Sequence, residues 1–288
     1  AYQKGFSMIT RIDWISFSVL VTPAAKPTEL TAYSAAMIEF HALFPDALGV
    51  LVDNRRWKSG KGRAPYNASF QHEASKITLF CHPTLPHALF EISGQGCEWL
   101  AKRNMLYPLL AAVQKRVTRL DIACDMETTT TPEEFAEARD TERFRSHGHI
   151  ISESGSTYYV GSRSSDRYAR VYRYNPPHER AHLLRCEMVI KAEQARAAVE
   201  DILWQGLSQY ASGLGAVFKW QHKDWQPQDM TAAAPPSWRP ERREGKTLFW
   251  LADTIAPLLA RLHREGVIDI IDWTEKTVLP LINPTQPE

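Results

Sequence analysis

The stretch 166–175, DRYARVYRYN, places three tyrosines and three arginines in ten positions. A strand sends alternate side chains to the same face. On that period Tyr168, Arg170, Tyr172 and Tyr174 share one face, and Arg173 points to the other. Two further segments offer a matching functional face. In VTRLDIACDM (117–126), Leu120, Ile122 and Cys124 are apolar, with Arg119, Asp121 and Asp125 opposite. In LLRCEMVIK (183–191), Leu184, Cys186, Met188 and Ile190 lie opposite Arg185, Glu187 and Lys191. If these strands are neighbours, Asp121, Glu187, Tyr172, Arg170 and Arg185 converge on one surface.

Asp121 and Glu187 are hard oxygen ligands of the kind that suit Mg²⁺ or Mn²⁺. A free tyrosine has a pKa near 10, so only about 0.1% is ionised at pH 7. Adjacent cations or a metal would raise that fraction and neutralise phosphate charge. The set therefore suits phosphoryl transfer with a tyrosine nucleophile. It equally suits a solvated sheet face bearing cross-strand ion pairs, and spacing leaves both readings open. His147-Gly148-His149 resembles a His-hydrophobic-His metal motif. Its central glycine, and the lack of a following tyrosine on a helix, assign it instead to a polar loop. His178, Glu179 and His182 read as solvated loop residues.

The elements that must position these side chains are legible in outline. RIDWISFSVLV (11–21) reads as a strand ending before Pro23. Leu30, Tyr33, Met37, Phe40 and Leu43 give residues 28–43 a helical period that stops at Pro45. Short strands are expected near 48–53, 66–72, 76–81 and 88–93, with a glycine-containing basic loop between the first two. GCEWLAKRN and YPLLAAVQKR read as helices, and 117–126 as a strand. Thr131-Pro132-Glu133-Glu134 is a capping box with proline at the first helical position, opening a helix to about 144. STYYVGS and YARVYRYN form a hairpin, 183–191 is a further strand, and a helix covers about 192–210. The proline-rich 211–245 reads as a linker or arm, and 246–288 as a small helical unit in which Phe249, Trp250 and Leu258 pack. RIDW (11–14) and RLDI (119–122) repeat Arg-aliphatic-Asp at the head of a strand. Phe90-Glu91 and Cys186-Glu187 repeat an apolar-Glu pair later in each half. A duplicated strand–helix–strands unit, with halves of about 1–110 and 111–210, accounts for both echoes.

Composition sets the outer bounds. The 288 residues are 44% hydrophobic and 23% charged, with a net charge of +1. That is ordinary for a soluble globular protein, and no run of about 18 apolar residues suggests a membrane span. The first residues lack the apolar stretch of a signal peptide, and the missing initiator Met points to an upstream segment that has been removed. Four dispersed cysteines without a CxxC pair point to a reducing, cytoplasmic setting, with Cys124 and Cys186 as buried thiols. Charge is unevenly placed. Residues 55–63, RRWKSGKGR, carry five basic groups and no acid, while 161–191 carry seven Arg/Lys against three acids. Such zones suit a phosphate-contacting groove.

IDWISF, FEISGQGC, TRLDIACD, TYYVGSRSSDRYARVY and LRCEMVIK, in this order, resemble the trans-acting rolling-circle replication initiators. That family covers plasmid initiators, filamentous-phage replication proteins and related relaxases. The resemblance runs over roughly 11–195, with a weaker echo in TLFWLADTIAPLLARL. It implies an α+β fold of two related lobes of curved antiparallel sheet with helices, saddle-like, followed by the C-terminal helical unit. Tyr172 is implied as the nucleophile. Asp121 and Glu187, with Asp125, would hold Mg²⁺ or Mn²⁺, and Arg170, Arg185 and Lys191 would contact the scissile phosphate. The expected activity is sequence-specific nicking and rejoining of origin DNA, single-stranded or hairpin, through a 5′-phosphotyrosyl intermediate. Arg55, Arg56, Trp57, Lys58, Lys61, Arg63, Arg163 and Arg167 would bind the DNA. A homodimer and a host helicase and polymerase are implied partners. Family members commonly carry lysine two residues after the tyrosine, and this chain has Tyr174 there. The lysine's work would pass to Arg173 or Lys191, and Tyr174, Tyr168 and Tyr159 become rival nucleophiles. The departure motivates a second expectation, a catalytically impaired DNA-binding regulator of a mobile element. A third is an unrelated phosphodiesterase that uses Asp121, Glu187 and water.

Overall fold

The computed structural model describes residues 8–45, 56–139, 142, 145–152, 155–174 and 183–207. The first half of these runs β1 (Met8–Leu20), α1 (Glu29–Leu43), β2 (Trp57–Lys61), β3 (Ala68–His72), β4 (Ile77–Cys81), β5 (His87–Ser93) and α2 (Gly94–Ala101). After α3 (Leu106–Val113) come β6 (Val117–Glu127), α4 (Pro132–Glu137), β7 (His147–Ser152), β8 (Gly155–Val160), β9 (Arg167–Tyr174), β10 (Leu183–Lys191) and α5 (Ala192–Gln205). The expected strand at 48–53, the 211–245 arm and the 246–288 helical unit lie outside the described residues.

All ten strands join one antiparallel sheet in the order β2-β3-β4-β5-β1-β6-β10-β9-β8-β7. The order reads the same from either edge once β1–β5 are matched to β6–β10. Each half is a strand and a helix, then a four-stranded meander whose last strand returns to the first, then a helix. The halves meet where β1 pairs with β6. This α+β architecture of two like-ordered lobes is the fold that the duplicated Arg-x-Asp and apolar-Glu echoes imply.

Strand alternation builds the core. Ile15, Phe17 and Val19 of β1, Phe90 and Ile92 of β5, Leu120 and Ile122 of β6, and Met188 and Ile190 of β10 are buried on one face. Helix α1 packs against β1, β4 and β5, and α5 against β6 and β10. Phe17 and Phe90 are register partners with rings stacked 5.2 Å apart, and Phe40 of α1 lies 4.7 Å from Phe90. Cys124 and Cys186 also face each other in register on this side, as free buried thiols.

Several expected elements differ in detail. The basic loop contains a strand, β2, at the sheet edge. The His147-Gly148-His149 loop is also a strand, β7, at the other edge. Both are mostly exposed, so no apolar alternation announces them, and pairing with a neighbour is what extends them. His147 and His149 pair with Val160 and Tyr158, on the face away from Tyr172, and the His149 ring stacks on Tyr158 at 4.0 Å. Helix α4 begins at its capping box but ends at Glu137 rather than near 144. Leu30 sits on the outer side of α1, 66% exposed, where helical period placed it inward. Ala32 and Ala36 are buried in that helix, because the close approach of α1 to the sheet admits small side chains.

Candidate active site

The face opposite the core carries the charges, and it is not a solvated ladder. Asp121 and Glu187 are 0% exposed, Asp125 1% and Arg185 3%. Charges taken out of water need partners, and the registers supply them. Arg185 opposes both Asp125 and Tyr172, and Glu187 opposes Arg170. β6, β10 and β9 are consecutive strands, so the expected convergence of Asp121, Glu187, Tyr172, Arg170 and Arg185 occurs.

Tyr172 Oη donates to Glu187 Oε1 at 2.5 Å. Arg170 Nε donates to the other carboxylate oxygen, Glu187 Oε2, and its Nη2 lies 3.6 Å from Asp121 Oδ2. Arg170 thus bridges the two expected metal ligands. Arg119 holds Asp121 in a fork, Nε to Oδ1 at 2.8 Å and Nη2 to Oδ2 at 2.6 Å. Arg185 grips Asp125 the same way at 2.6 and 2.8 Å, and Arg11 also donates to Asp125. Bidentate guanidinium–carboxylate pairs fix orientation as well as charge.

Asp13 enters this cluster through a β-bulge. Ile12 pairs with Ile122 and Trp14 with Asp121, so Asp13 is the extra residue. A bulge re-aims side chains: here it lets Asp13 and Trp14 both face the polar side while Ile12 and Ile15 stay in the core. Arg185 Nη1 donates to Asp13 Oδ1 at 3.1 Å. Asp13 is the first-lobe counterpart of Asp121, lent to the second lobe's site. Asp13, Arg11 and Arg119 are site residues that the strand patterns did not single out. The paired Arg-x-Asp echoes were the signal for all three.

Burial dominates the electrostatics. It pushes the Glu187 carboxyl up to about 7, against the pull of Arg170 and with help from Asp13 and Asp121. Asp121 is also raised by burial, although Arg119 and Arg170 oppose the change. Tyr172 is raised, first by burial and then by the Glu187 charge, with Arg185 and Arg170 only partly offsetting. This corrects the expectation that neighbouring cations would ionise the phenol. Those cations are engaged by carboxylates, and Tyr172 rests as a neutral donor to Glu187.

The donor chemistry fits a hard divalent cation. Asp121 and Glu187 are adjacent buried carboxylates, and the raised Glu187 shows that the cluster is short of positive charge. Asp125 is enclosed by Arg185 and Arg11, which leaves it less open to a metal. Among the described residues, no three His, Cys, Asp or Glu side chains form a ready cluster of ligands.

The other expected site residues scatter. Lys191 is not beside Tyr172; its Nζ donates to the Arg163 carbonyl at 2.8 Å and lies 5.0 Å from the Tyr168 ring. Arg173 points away, as alternation requires, and donates to the carbonyls of Thr128 and Thr130 at 2.7 and 2.6 Å. Tyr174 is covered by the Arg185 guanidinium, 3.5 Å from its ring centre. Arg163 sits over Tyr159 at 5.0 Å, and Arg167 is half-buried at the start of β9. In the basic segment, Arg56 and Lys61 are exposed, and Lys58 pairs with Glu73 at 2.5 Å. Arg63 pairs with Glu91. Trp57 packs against Tyr33 and His72 at 5.9 and 5.3 Å, as a structural side chain. Arg55 lies outside the described residues.

These features define a class: a duplicated antiparallel sheet with a buried tyrosine–carboxylate–arginine cluster on its helix-free face. No family model matches the chain, and no curated protein matches it. Among solved structures it is similar to the rolling circle replication initiator protein from Geobacillus stearothermophilus. The TM-score is 0.52 at 16% identity, over 86% of this chain and 96% of that one. At that identity the likeness is one of fold. Among the described residues, no helix is long and apolar enough to cross a membrane.

Proposed function

We propose that this protein initiates rolling-circle replication by nicking origin DNA with Tyr172. The observation that carries the reading is the 2.5 Å hydrogen bond from Tyr172 Oη to Glu187 Oε1, inside a buried arginine cluster on a fold like that of a known initiator. Glu187 is placed to take the phenol proton as Oη attacks phosphorus. The Oη–P bond forms, the P–O3′ bond breaks, and the departing 3′ oxygen takes a proton from solvent. A 5′-phosphotyrosyl link and a free 3′-OH result, and reversal of the same step rejoins strands without ATP. Arg170 and Arg185 stabilise charge developing on the phosphoryl oxygens, so positioning and electrostatics supply the main acceleration. Asp121 and Glu187 would hold Mg²⁺ or Mn²⁺, which would supply further charge neutralisation at the phosphate.

The test uses supercoiled DNA carrying the cognate origin, with Mg²⁺ or Mn²⁺, resolved on denaturing gels. Wild type forms a covalent protein–DNA adduct and Tyr172→Phe does not. An undiminished adduct with Tyr172→Phe would sink the assignment. The Tyr174 ring stacked on Arg185 supports a second reading, a DNA-binding regulator without chemistry. That reading gives metal-indifferent origin binding and no adduct from wild type. Hydrolysis with no protein-linked product would instead favour attack by water at Asp121 and Glu187.

A further inference from the structure

The second-lobe cluster has a partial copy in the first lobe. Matching β4 and β5 to β9 and β10 sets Glu91 against Glu187 and Phe80 against Tyr172, because Glu91 pairs with Thr78 as Glu187 pairs with Arg170. Glu91 is buried and accepts from Arg63, whose guanidinium lies 4.4 Å from the Phe80 ring centre. Arg170 stands in the same relation to Tyr172 at 5.9 Å. The copy lacks the nucleophilic hydroxyl, and its aspartate, Asp13, serves the other site. What it keeps is an aromatic ring under a half-exposed arginine.

That pairing recurs along the same face. Arg119 lies 5.0 Å from the Trp14 ring, and the Trp14 indole N–H is fixed by a 2.7 Å bond to Ser16 Oγ. Lys191 lies over Tyr168 and Arg163 over Tyr159, each at 5.0 Å. Register puts all four pairs on the Tyr172 side: Tyr159 opposes Arg170, Trp14 opposes Asp121, and Lys191 opposes Arg119. From Phe80 on β4 to Tyr159 on β8 is six strand steps. At about 4.8 Å per step this spans about 29 Å.

We propose that Phe80, Trp14, Tyr168 and Tyr159, with Arg63, Arg119, Lys191 and Arg163 beside them, form a track for single-stranded DNA that crosses both lobes past Tyr172. Alternating rings and cations on an open face suit unpaired bases and their phosphates, because every base has a face to stack and duplex DNA presents none. Tyr168, mostly buried, props Lys191, while Trp14, Phe80 and Tyr159 are partly exposed. The proposal rests on DNA being the substrate and adds which form of it binds, and where.

The experiment measures binding of a fluorescein-labelled single-stranded oligonucleotide, and of the same sequence as duplex, to the full chain carrying Tyr172→Phe, without divalent metal. Cleavage therefore cannot affect the result. Single strand is expected to bind at least tenfold tighter than duplex. Trp14→Ala and Tyr159→Ala should each weaken it about 5- to 150-fold, while Trp14→Phe and Tyr159→Phe, which keep a ring, recover most of the loss. Arg163→Ala should lower the salt slope by about 0.7. Equal affinity for the two DNA forms, or wild-type binding by both alanine variants with normal thermal melts, overturns the track. If wild type forms no adduct yet binds single strands through these rings, the nicking reading fails and the track stands.

Discussion

Replacing Glu187 with glutamine should make the protein more stable at alkaline pH while abolishing its chemistry. The Glu187 carboxyl has moved from an ordinary 4.5 to about 7, chiefly through burial. That difference corresponds to about 3 kcal/mol favouring the neutral form in the folded state. Because the folded-state value is raised, the contribution is fully present below pH 4.5 and is lost as pH rises through 7. Wild-type stability should fall by about 3 kcal/mol across that window from this group alone. Glutamine mimics the neutral carboxyl, so Glu187→Gln should remove that part of the pH dependence. It should also gain about 2 kcal/mol at pH 8, after a discount for turning its amide toward Tyr172 or Arg170. Urea unfolding at pH 5 and pH 8 measures both effects. In the origin-nicking assay the variant should form no adduct, since the phenol has lost its proton acceptor. The wild-type nicking rate should climb with pH, with a midpoint near 7. A variant at least 2 kcal/mol less stable than wild type at pH 8 would refute the reasoning, because the ionised carboxylate would then be a net stabiliser paired to Arg170.

Three other outcomes follow from the same geometry. Arg185→Ala leaves Asp125 and Asp13 facing a void, and should cost about 3–5 kcal/mol in urea unfolding. Phe90→Ala empties the ring stack between Phe17 and Phe40, with a similar cost of about 3–5 kcal/mol in the same measurement. Tyr174→Lys restores the residue that initiators commonly carry, yet sets an ammonium against Arg185, now stacked on that ring. It should lower the thermal midpoint and leave the nicking rate within about threefold of wild type; a large gain in rate would show that the missing lysine limits catalysis.

Much of the candidate site was legible because strand alternation is a local rule. Period two alone put Arg170 and Tyr172 together, sent Arg173 away, and sorted 117–126 and 183–191 into apolar and charged faces. The capping box at Thr131 and the core stripe of α1 around Tyr33, Met37 and Phe40 were equally local. The end of α4, the outward turn of Leu30 and the edge strands β2 and β7 were not, since each depends on what the neighbouring chain covers. Asp13 was hidden for a related reason: a bulge breaks the alternation, and only its pairing with β6 shows where the extra residue points.

The sequence by itself determined the residue types, the faces they share and the duplicated order of elements, all of which follow from spacing along one chain. Only the tertiary structure decided that β6, β10 and β9 are neighbours, and that their charged face is closed to water. That closure raises Glu187, keeps Tyr172 protonated and commits each arginine to a carboxylate. Burial is a property of everything packed around a side chain, and no periodicity along the backbone encodes it.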